Sequence, residues 1–583
     1  MHIPLKEYFT LLRRYLRPQQ GRVLGLAGLL LGSIGLQLVS PQVIRYFIDA
    51  AQMGAGQRAL LVAAGLFLVL ILTERGLQIA TTYLSENVAW TATNGLRADL
   101  TAHVLKLDLG FHNAHTPGEL LERIDGDVDR LANFFSQFVL QILTGLLLTL
   151  GVLVLLWRED WRIGLSLALF AGLYLIIHAK GQQLATPQWR KERQLQADLA
   201  GFVEERLAGV KDLQANGGVT YTLHRFIDIL RRATKQSTRA GVTTDLGWTI
   251  SKVVFDLGTV TAMGLGAYLF QQNVLTIGAV YLVLHYLGLI NGPLNRIGGQ
   301  LEDLQRIRVS LERVKALIET RSKIKSLGDQ GRAVPAGPLA VRFADVGFSY
   351  LEGQPVLQQI SFALSPGQVL GLLGRTGSGK TTLSRLLFRL YQADVGEIYL
   401  GHIPLDQADL TNLRRRVGMV TQEVQLFQAS LRDNLTLFDP TIPDERILAA
   451  LDELGLKDWF GQLSAGLETP LAADGGGLSA GEAQLLAFTR LFLKDPGLII
   501  LDEASSRLDP ATEQLLERTM DRLLQNRTAI IIAHRLATVQ RADQILILAE
   551  GRIQEQGDRL TLAARPDSVF AGLLQTGLAE VLA

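Results

Sequence analysis

The clearest chemical signal in the chain is a glycine-rich phosphate loop of the pattern G-x-x-x-x-G-K-[ST]. It is matched in full by Gly374-Arg375-Thr376-Gly377-Ser378-Gly379-Lys380-Thr381. An apolar run precedes the loop and a helical pattern follows it, as this motif requires. The glycines let backbone N–H groups surround phosphate oxygens, and Lys380 would add positive charge at the β- and γ-phosphates. The Thr381 hydroxyl would ligate Mg²⁺.

A second signal is a pair of carboxylates at the end of an apolar run, Leu498-Ile499-Ile500-Leu501-Asp502-Glu503. The run predicts a buried strand with both acids at its carboxyl edge. Asp502 would hold Mg²⁺, directly or through water, and Glu503 would orient and polarise the attacking water. Such a run is weak evidence alone, but its distance downstream of the phosphate loop makes it strong. Together the two motifs predict ATP hydrolysis.

The elements that must position these groups lie in the second half of the chain. Residues 327–338 contain several Gly and Pro residues and are predicted to form a linker. After them, apolar strands alternate with helical stretches, which is typical of an α/β domain with a largely parallel sheet. We therefore expect an ATP-binding domain over residues 339–583.

The first half of the chain is predicted to lie in a membrane. Of the 583 residues, 48% are hydrophobic and only 19% are charged, which is too apolar for an ordinary soluble protein. A bilayer core needs about 20 mostly apolar residues per helix. Residues 1–326 are therefore expected to form an all-α six-helix transmembrane domain. The predicted spans are about 23–48, 58–82, 132–157, 162–179, 246–270 and 276–295.

Loop charge predicts the orientation of these helices. The connection 180–239 is rich in Lys and Arg, whereas the turn 271–275 carries neither, and basic connections lie on the cytoplasmic side. Six spans then place both termini in the cytoplasm. The connections 83–131 and 180–245 have apolar residues at helical spacing, so we expect the membrane helices to continue into the cytoplasm.

Several ionisable residues fall inside the predicted spans. Each charge there costs about 2.5–3.5 kcal/mol on insertion scales, so it is expected either to pair locally or to face a substrate cavity. Both interpretations stay open for three pairs: Arg45 and Asp49, Glu74 and Arg75, and Lys252 and Asp256.

The order of the motifs resembles that of the ATP-binding cassette (ABC) family over nearly the whole chain. Leu478-Ser479-Ala480-Gly481-Glu482 resembles the family's signature sequence, and Ser506-Arg507-Leu508-Asp509 resembles its D-loop. Six helices before one cassette resemble the exporter branch, which includes multidrug and lipid exporters. The resemblance implies a half-transporter with short coupling helices near 107–113 and 215–221.

The resemblance also implies roles for individual residues. Tyr350 resembles the aromatic residue that stacks on adenine, Gln422 the glutamine that touches Mg²⁺ and water, and His534 the histidine that contacts the γ-phosphate. Catalysis is thus expected from Glu503, His534 and Gln422, and Mg²⁺ binding from Thr381, Gln422 and Asp502. The residues expected to bind ATP are Tyr350, Gly374, Arg375, Thr376, Gly377, Ser378, Gly379, Lys380, Thr381, Thr382, Asp502, Ser479 and Gly481.

The signature departs from the family's usual LSGGQ. Ala480 replaces a glycine and Glu482 replaces the glutamine, so a carboxylate is expected to add negative charge near the phosphates. In the family the signature reaches across a dimer, so a second ABC half-transporter is required. An altered signature beside an intact Glu503 is the combination found in heterodimeric exporters, and it favours a heterodimer over a homodimer.

The expected function is ATP-driven export of a small amphipathic substrate, a drug, lipid or peptide, by alternating access. An ATP-gated channel or sensor on the same fold is the alternative. The net charge of +1 and the six apolar spans argue against a nucleic-acid partner, and the absence of cysteine excludes disulfides. The composition fits a multi-pass protein in contact with lipid in a prokaryotic plasma (inner) membrane.

Overall fold

The computed structural model describes residues 10, 13–137, 142–324, 328–351, 353–421, 424–472, 478–502, 510–533 and 536–576. The chain divides into two compact units. The helical unit comprises Met1–Leu105 and Pro117–Thr320, and the α/β unit comprises Lys106–Thr116 and Arg321–Ala583.

Long helices account for nearly all of the described helical unit. A π-helical turn, Glu122–Gly126, separates two shorter helices, α4 and α5. The short helix α3 belongs to the α/β unit although it follows α2 in sequence. In chain order the helices are α1 Gln20–Gln52, α2 Gln57–Val104, α3 Leu109–Ala114, α4 Pro117–Leu121, α5 Asp127–Gln137, α6 Thr144–Glu159, α7 Trp161–Ala208, α8 Val210–Ala215, α9 Val219–Gln271 and α10 Ile277–Glu319.

Five helices of the described residues are long and apolar enough to cross a membrane. They are Arg13–Gln52, Gln57–Val104, Trp161–Ala208, Val219–Gln271 and Ile277–Asn295. The third predicted span, 132–157, is divided in the structure between α5 and the 16-residue α6, with residues 138–141 outside the described part. Large apolar side chains such as Leu68, Leu72 and Leu169 are exposed on these helices, which suits contact with lipid.

The helices extend well beyond the hydropathy segments, which confirms the predicted continuation of the membrane helices. Helix α2 runs 48 residues and α9 runs 53, more than twice the length that a bilayer core requires. The short helix α3 lies close to the predicted first coupling helix. The range 215–221, predicted as the second coupling helix, holds no separate short helix: α8 ends at Ala215, and a turn at 216–218 leads into α9.

All three charge pairs that the sequence analysis places in or near the predicted spans form ion pairs in the structure. Arg75 Nε lies 3.8 Å from Glu74 Oε2 on α2. Lys252 Nζ lies 3.4 Å from Asp256 Oδ1 on α9. Arg45 pairs with Asp49 at 3.7 Å and also with Glu159 at the end of α6. Asp49 accepts hydrogen bonds from the Thr276 hydroxyl and the Gly278 backbone N–H, each at 2.8 Å, and so ties α1 to the start of α10.

The α/β unit is built on a six-stranded sheet of order β12-β11-β3-β10-β9-β6, in which only β12 is antiparallel to its neighbour. An antiparallel sheet of order β2-β1-β4-β5 and a small β7-β8 pair complete it. The strands are β1 Val341–Leu351, β2 Gln354–Leu364, β3 Val369–Gly374, β4 Val395–Leu400, β5 Ile403–Pro404, β6 Val417–Val420, β7 Ala429–Ser430, β8 Pro470–Leu471, β9 Leu498–Asp502, β10 Thr528–Ile532, β11 Gln544–Ala549 and β12 Arg552–Asp558.

Alternating side chains of the central strands fill two separate cores. Ile499 and Leu501 of β9 pack on one face of the six-stranded sheet with apolar residues of the helices, such as Leu485. Leu498 and Ile500 pack on the other face with residues of the antiparallel sheet. Both faces are covered, and this explains why these strands are apolar throughout rather than alternating.

The helices of the α/β unit are mostly short and connect these strands. They are α11 Lys380–Leu387, α12 Leu410–Arg416, α13 Leu431–Thr436, α14 Asp444–Glu453, α15 Lys457–Gly461, α16 Ala480–Lys494, α17 Pro510–Leu524, α18 Leu536–Val539, α19 Arg559–Ala563 and α20 Val569–Thr576.

Candidate nucleotide-binding site

The loop between β3 and α11 has a backbone that only glycine adopts without strain. Gly374, Gly377 and Gly379 have φ values of 145°, 83° and 107°. A Cβ at Gly374 would lie 2.3 Å from the carbonyl oxygen of Leu548, and one at Gly379 would lie 2.5 Å from a methyl carbon of Leu357. The glycines of the motif are therefore required by the shape of the loop.

Lys380 holds this loop from inside. Its side chain is buried, and Nζ donates hydrogen bonds to the carbonyl oxygens of Gly374 and Arg375. Burial lowers the pKa of Lys380, and the negative charge of Asp502 opposes that shift. An ammonium has three N–H donors, so a phosphate oxygen would be the natural third partner of Nζ.

The remaining groups of the loop also fit a phosphate. The Ser378 hydroxyl is buried and has no hydrogen-bond partner among the described residues. Arg375, Thr376 and Gly377 are exposed at the tip of the loop, as is Thr381 at the start of α11. A buried hydroxyl without a partner costs about 1–3 kcal/mol, and a bound phosphate would satisfy it.

Tyr350 lies beside this loop. Its hydroxyl oxygen is 3.1 Å from Thr382 Oγ1 on α11 and accepts a hydrogen bond from Arg385 at 3.2 Å. The ring is 40% exposed, which leaves area for a flat ligand to stack on it. The structure thus brings Tyr350 and Thr382 to the phosphate loop.

The other predicted residues follow strands that end at the same edge of the sheet. The parallel strands β3, β6, β9 and β10 end at Gly374, Val420, Asp502 and Ile532. Asp502 lies near enough to Lys380 to affect its pKa. The three predicted catalytic residues, Gln422, Glu503 and His534, lie outside the described residues.

The signature segment forms the capped start of α16. The Ser479 hydroxyl accepts from the Glu482 backbone N–H, and Glu482 Oε2 accepts from the Ser479 backbone N–H at 2.6 Å. Trp459 Nε1 donates to Glu482 Oε1 at 2.7 Å. From the sequence, Glu482 is expected to add negative charge near the phosphates. In the structure, each of its carboxylate oxygens accepts a hydrogen bond from a donor in the α/β unit, the Ser479 N–H or the Trp459 indole N–H. Nothing in the sequence near Trp459 signals this contact.

Replacing Glu482 with glutamine, the family's usual residue, should therefore destabilise the protein. The amide has one acceptor oxygen, so either the Ser479 N–H or the Trp459 indole N–H would face an NH₂ group. We expect a loss of about 1–3 kcal/mol in the free energy of unfolding, measured by thermal or chemical denaturation of the purified chain.

A double-mutant cycle with Trp459→Phe tests the contact itself. Trp459→Phe removes the indole donor, so the loss in the double variant should be smaller than the sum of the two single losses. The exposed Glu445→Gln, in the first turn of α14, should change stability by less than about 0.5 kcal/mol. Additive losses, or a more stable Glu482→Gln, would show that the indole contact is not formed.

A row of contacts connects Tyr350 to the short helix α3. The Tyr391 ring lies edge-to-face with the Tyr350 ring at a centroid distance of 5.1 Å, and Asn113 Nδ2 of α3 donates to the Tyr391 hydroxyl at 2.7 Å. Burial raises the pKa of Tyr391, which keeps this hydroxyl protonated. Tyr391 belongs to none of the sequence motifs, and it could not be predicted as a partner of Asn113 because it lies 278 residues away.

Asp108 anchors the start of α3 in the same unit. Burial opposes its ionisation, but the backbone N–H groups of Lys323 and Phe111 and the Ser322 hydroxyl donate to it and hold its pKa below the ordinary value.

Tyr391→Phe should loosen α3 while leaving the ring contact with Tyr350 in place. Loss of one hydrogen bond of about 0.5–1.5 kcal/mol predicts amide hydrogen exchange in Leu109–Ala114 that is roughly 2- to 13-fold faster. Mass spectrometry of exchanged peptides measures this rate. Tyr399→Phe, which removes a hydroxyl that donates to Glu397 on the same strand and, within the described residues, makes no contact with α3, serves as the control. Equal exchange in Tyr391→Phe and the parent chain would contradict the proposed contact.

Comparison with known proteins places these features in a family. Residues 24–294 match the model of the ABC transporter transmembrane region, and residues 357–506 match the ABC transporter model. A fatty acid ABC transporter ATP-binding/permease protein of Mycobacterium bovis is 31% identical over 81% of this chain and 74% of its own length. The chain belongs to the ABC transporter family.

Two further ABC transporters are similar to this chain over nearly its whole length. An ATP-dependent lipid A-core flippase of Alcanivorax borkumensis is 29% identical over 91% of this chain and 90% of the flippase. The solved structure of a bacterial Atm1-family ABC exporter with ATP bound superposes with a TM-score of 0.79 at 26% identity, covering 96% of this chain and 98% of the exporter.

Family membership establishes the general activity of the transporter. It is an integral protein of a bacterial membrane that binds ATP and couples ATP hydrolysis to export. The predicted fold class, a helical transmembrane domain fused to an α/β ABC ATPase domain, is confirmed.

Proposed function

We propose that the transporter is one half of a dimer that exports a small amphipathic molecule, such as a drug, a lipid or a peptide, by alternating access. The observation that carries this proposal is the fusion of long apolar helices and a phosphate-loop ATPase unit in one chain. The fatty acid transporter and the lipid A-core flippase among its relatives support an amphipathic cargo. Drugs and peptides remain within the proposed range.

In the proposed site, Tyr350 stacks on adenine and the loop Gly374–Thr381 with Thr382 holds the phosphates. Glu503, next to the strand end at Asp502, would polarise the attacking water, and His534 would contact the γ-phosphate. Ser479 and Gly481 would contact the γ-phosphate of the ATP bound to the second subunit. The Ser479 oxygen accepts the Glu482 N–H, so its own O–H proton remains available to a phosphate.

Mg²⁺ would be held by Thr381, Asp502 and Gln422. Hydroxyl and carboxylate oxygens are ligands that Mg²⁺ favours, and both Thr381 and Asp502 lie beside Lys380. When bound, the ion would neutralise negative charge on the phosphates.

The dimer partner is proposed to be a second ABC half-transporter, with the altered signature favouring a heterodimer. A homodimer is the second candidate, and one observation favours it. The carboxylate of Glu482 is satisfied by Ser479 and Trp459 within its own unit, so it need not repel the phosphates of a partner's ATP. In either assembly, both termini are proposed to face the cytoplasm.

The proposed function is tested by transport in inside-out proteoliposomes that contain this chain alone. Fluorescent lipid, dye and peptide probes should accumulate against a gradient only when ATP is supplied, and no accumulation should occur in the Lys380→Ala variant. Equilibration without accumulation would indicate the ATP-gated channel or sensor instead. Activity of the chain alone would contradict the heterodimer, and activity only with an added half-transporter would contradict the homodimer.

A further inference from the structure

A cavity of about 690 Å³ lies within the helical unit, among α1, α2, α6 and α10. Its volume falls in the range of sites that bind drug-sized molecules. One part of its wall is apolar and includes Leu30, Phe67, Ile71, Leu148 and Leu289. These side chains suit the hydrocarbon part of a ligand.

The other part of the wall contains a fixed carboxylate and a guanidinium. The Glu74 side chain is only 12% exposed, and its Oε1 accepts a hydrogen bond from Gln37 at 3.2 Å. Arg75 Nε lies 3.8 Å from Glu74 Oε2, and the same guanidinium donates to Gln78 at 2.9 Å. Arg75 is 66% exposed, so most of its donors remain accessible.

Two hydroxyl groups on the cavity wall have no hydrogen-bond partner in the described chain. Thr81 is 4% exposed, and its Oγ1 is unsatisfied although the residue lines the cavity. Ser40 of α1 also lines the cavity, and its Oγ is likewise buried and unsatisfied. Buried hydroxyl groups are normally paired, so two unsatisfied ones on one cavity indicate a ligand with hydrogen-bonding groups.

The charges that line the cavity balance. Among the described lining residues, Glu74 is the only carboxylate and Arg75 is the only guanidinium, and His285 adds an imidazole ring. A ligand with net charge would leave one charge uncompensated in an apolar environment, which is strongly unfavourable. A ligand with no net charge meets no such penalty.

We propose that this cavity binds the transported molecule, and that this molecule is an amphiphile with no net charge and a head rich in hydrogen-bonding groups. The inference rests on the proposed export function and names its substrate class. Glu74, Arg75 and the hydroxyl groups of Ser40 and Thr81 contact the head, and the apolar wall contacts the chain.

Four octyl compounds with different heads test the charge preference. Octyl phosphocholine is zwitterionic and octyl glucoside is uncharged, whereas octyl trimethylammonium is a cation and octyl sulfate is an anion. Each is titrated below its micelle concentration into the full chain in lipid nanodiscs, and stimulation of ATP hydrolysis is measured. The half-maximal concentration should be about tenfold lower or more for the two compounds without net charge.

Charge variants should change this preference in opposite directions. Glu74→Gln leaves a net positive site and should favour octyl sulfate, whereas Arg75→Gln leaves a net negative site and should favour octyl trimethylammonium. Glu86→Gln, an exposed acid on α2 outside the cavity, should keep the parent order of preference. The inference is overturned if both cavity variants change the response to all four compounds by the same factor.

The unsatisfied hydroxyl of Thr81 gives an independent test. Thr81→Val removes a polar group that has no partner, so it should not lower the melting temperature, yet it should weaken the response to the preferred octyl compounds about 3- to 10-fold. Thr73→Val, whose hydroxyl donates to its own helix outside the cavity, should leave that response unchanged. A lower melting temperature with an unchanged response would show a purely structural hydroxyl.

Failure of this inference differs from failure of the proposed function. If ATP drives accumulation of a probe but the cavity variants do not alter head preference, the substrate class is wrong and export stands. If ATP drives no accumulation of any probe by the parent chain, either alone or with an added half-transporter, export itself is contradicted whatever binds in the cavity.

Discussion

Lys380→Ala should reduce the affinity for ATP by about 10- to 100-fold and abolish measurable ATP hydrolysis. The variant removes the positive charge expected at the phosphates, and hydrogen bonds to a charged group contribute about 1.5–3 kcal/mol each. It also removes the donor that Gly374 and Arg375 share across the loop, so the loop would lose its shape as well as its charge.

Binding of a fluorescent ATP analogue and steady-state phosphate release measure the two effects. Lys380→Arg should fail as well, because Lys380 is buried and a planar guanidinium presents its N–H donors in a different geometry from an ammonium. Lys457→Ala, in an exposed position beside Asp452 of the same unit, is the matched control and should behave as the parent chain. ATP binding by Lys380→Ala at the parent affinity would show that the loop is not the nucleotide site.

Glu503→Gln should lower the rate of ATP hydrolysis while leaving ATP binding intact, in contrast to Lys380→Ala. Positioned general bases contribute about 10²- to 10⁴-fold to rate, so hydrolysis should fall by this factor while ATP binding persists. This expectation rests on the position of Glu503 in the chain, directly after Asp502, which ends β9. Asp502 in turn lies close enough to Lys380 of the phosphate loop for its charge to oppose the lowering of the pKa of Lys380 by burial.

Nucleotide retained after gel filtration and phosphate release distinguish these effects for Glu503→Gln. The variant should retain unhydrolysed ATP, whereas the parent chain should retain mainly ADP. Glu453→Gln, an exposed acid at the end of α14, provides a carboxylate control in the same unit. Hydrolysis by Glu503→Gln at the parent rate would mean that another group activates the water.

The phosphate loop could be predicted from sequence because its chemistry is local. Gly374 and Gly379 are required by the backbone shape of eight consecutive residues, and Lys380 acts on carbonyl groups five and six residues away. The strand of β9 was likewise predictable, since a strand covered on both faces is apolar at every position.

The membrane helices were predictable in approximate place, but not in length. A hydropathy pattern marks only the apolar residues that lie in the bilayer. It therefore locates the apolar part of a helix such as α9 and misses the polar turns that extend this helix to 53 residues. The region 132–157 shows the same limit, because it crosses the end of α5 and the start of α6.

The contacts that sequence could not supply are those between distant residues. Gln37 meets Glu74 because α1 and α2 pack side by side, and Trp459 meets Glu482 because α15 lies against the start of α16. In each contact the two residues lie on different helices, so neither helix nor strand periodicity relates their positions in the sequence. The sequence therefore predicts that Glu482 adds a negative charge near the phosphates, whereas in the structure Glu482 caps the start of α16.

The membership of Lys106–Thr116 in the α/β unit has a consequence for biosynthesis. Asn113 emerges from the ribosome 278 residues before its partner Tyr391, which at 5–20 residues per second is a delay of roughly 15–55 s. During that interval α3 has no Tyr391 to bind, while the chain on both sides of it is entering the membrane. The ATPase half must therefore fold onto a segment that was synthesised early, and a chain truncated before Tyr391 leaves Asn113 without this partner.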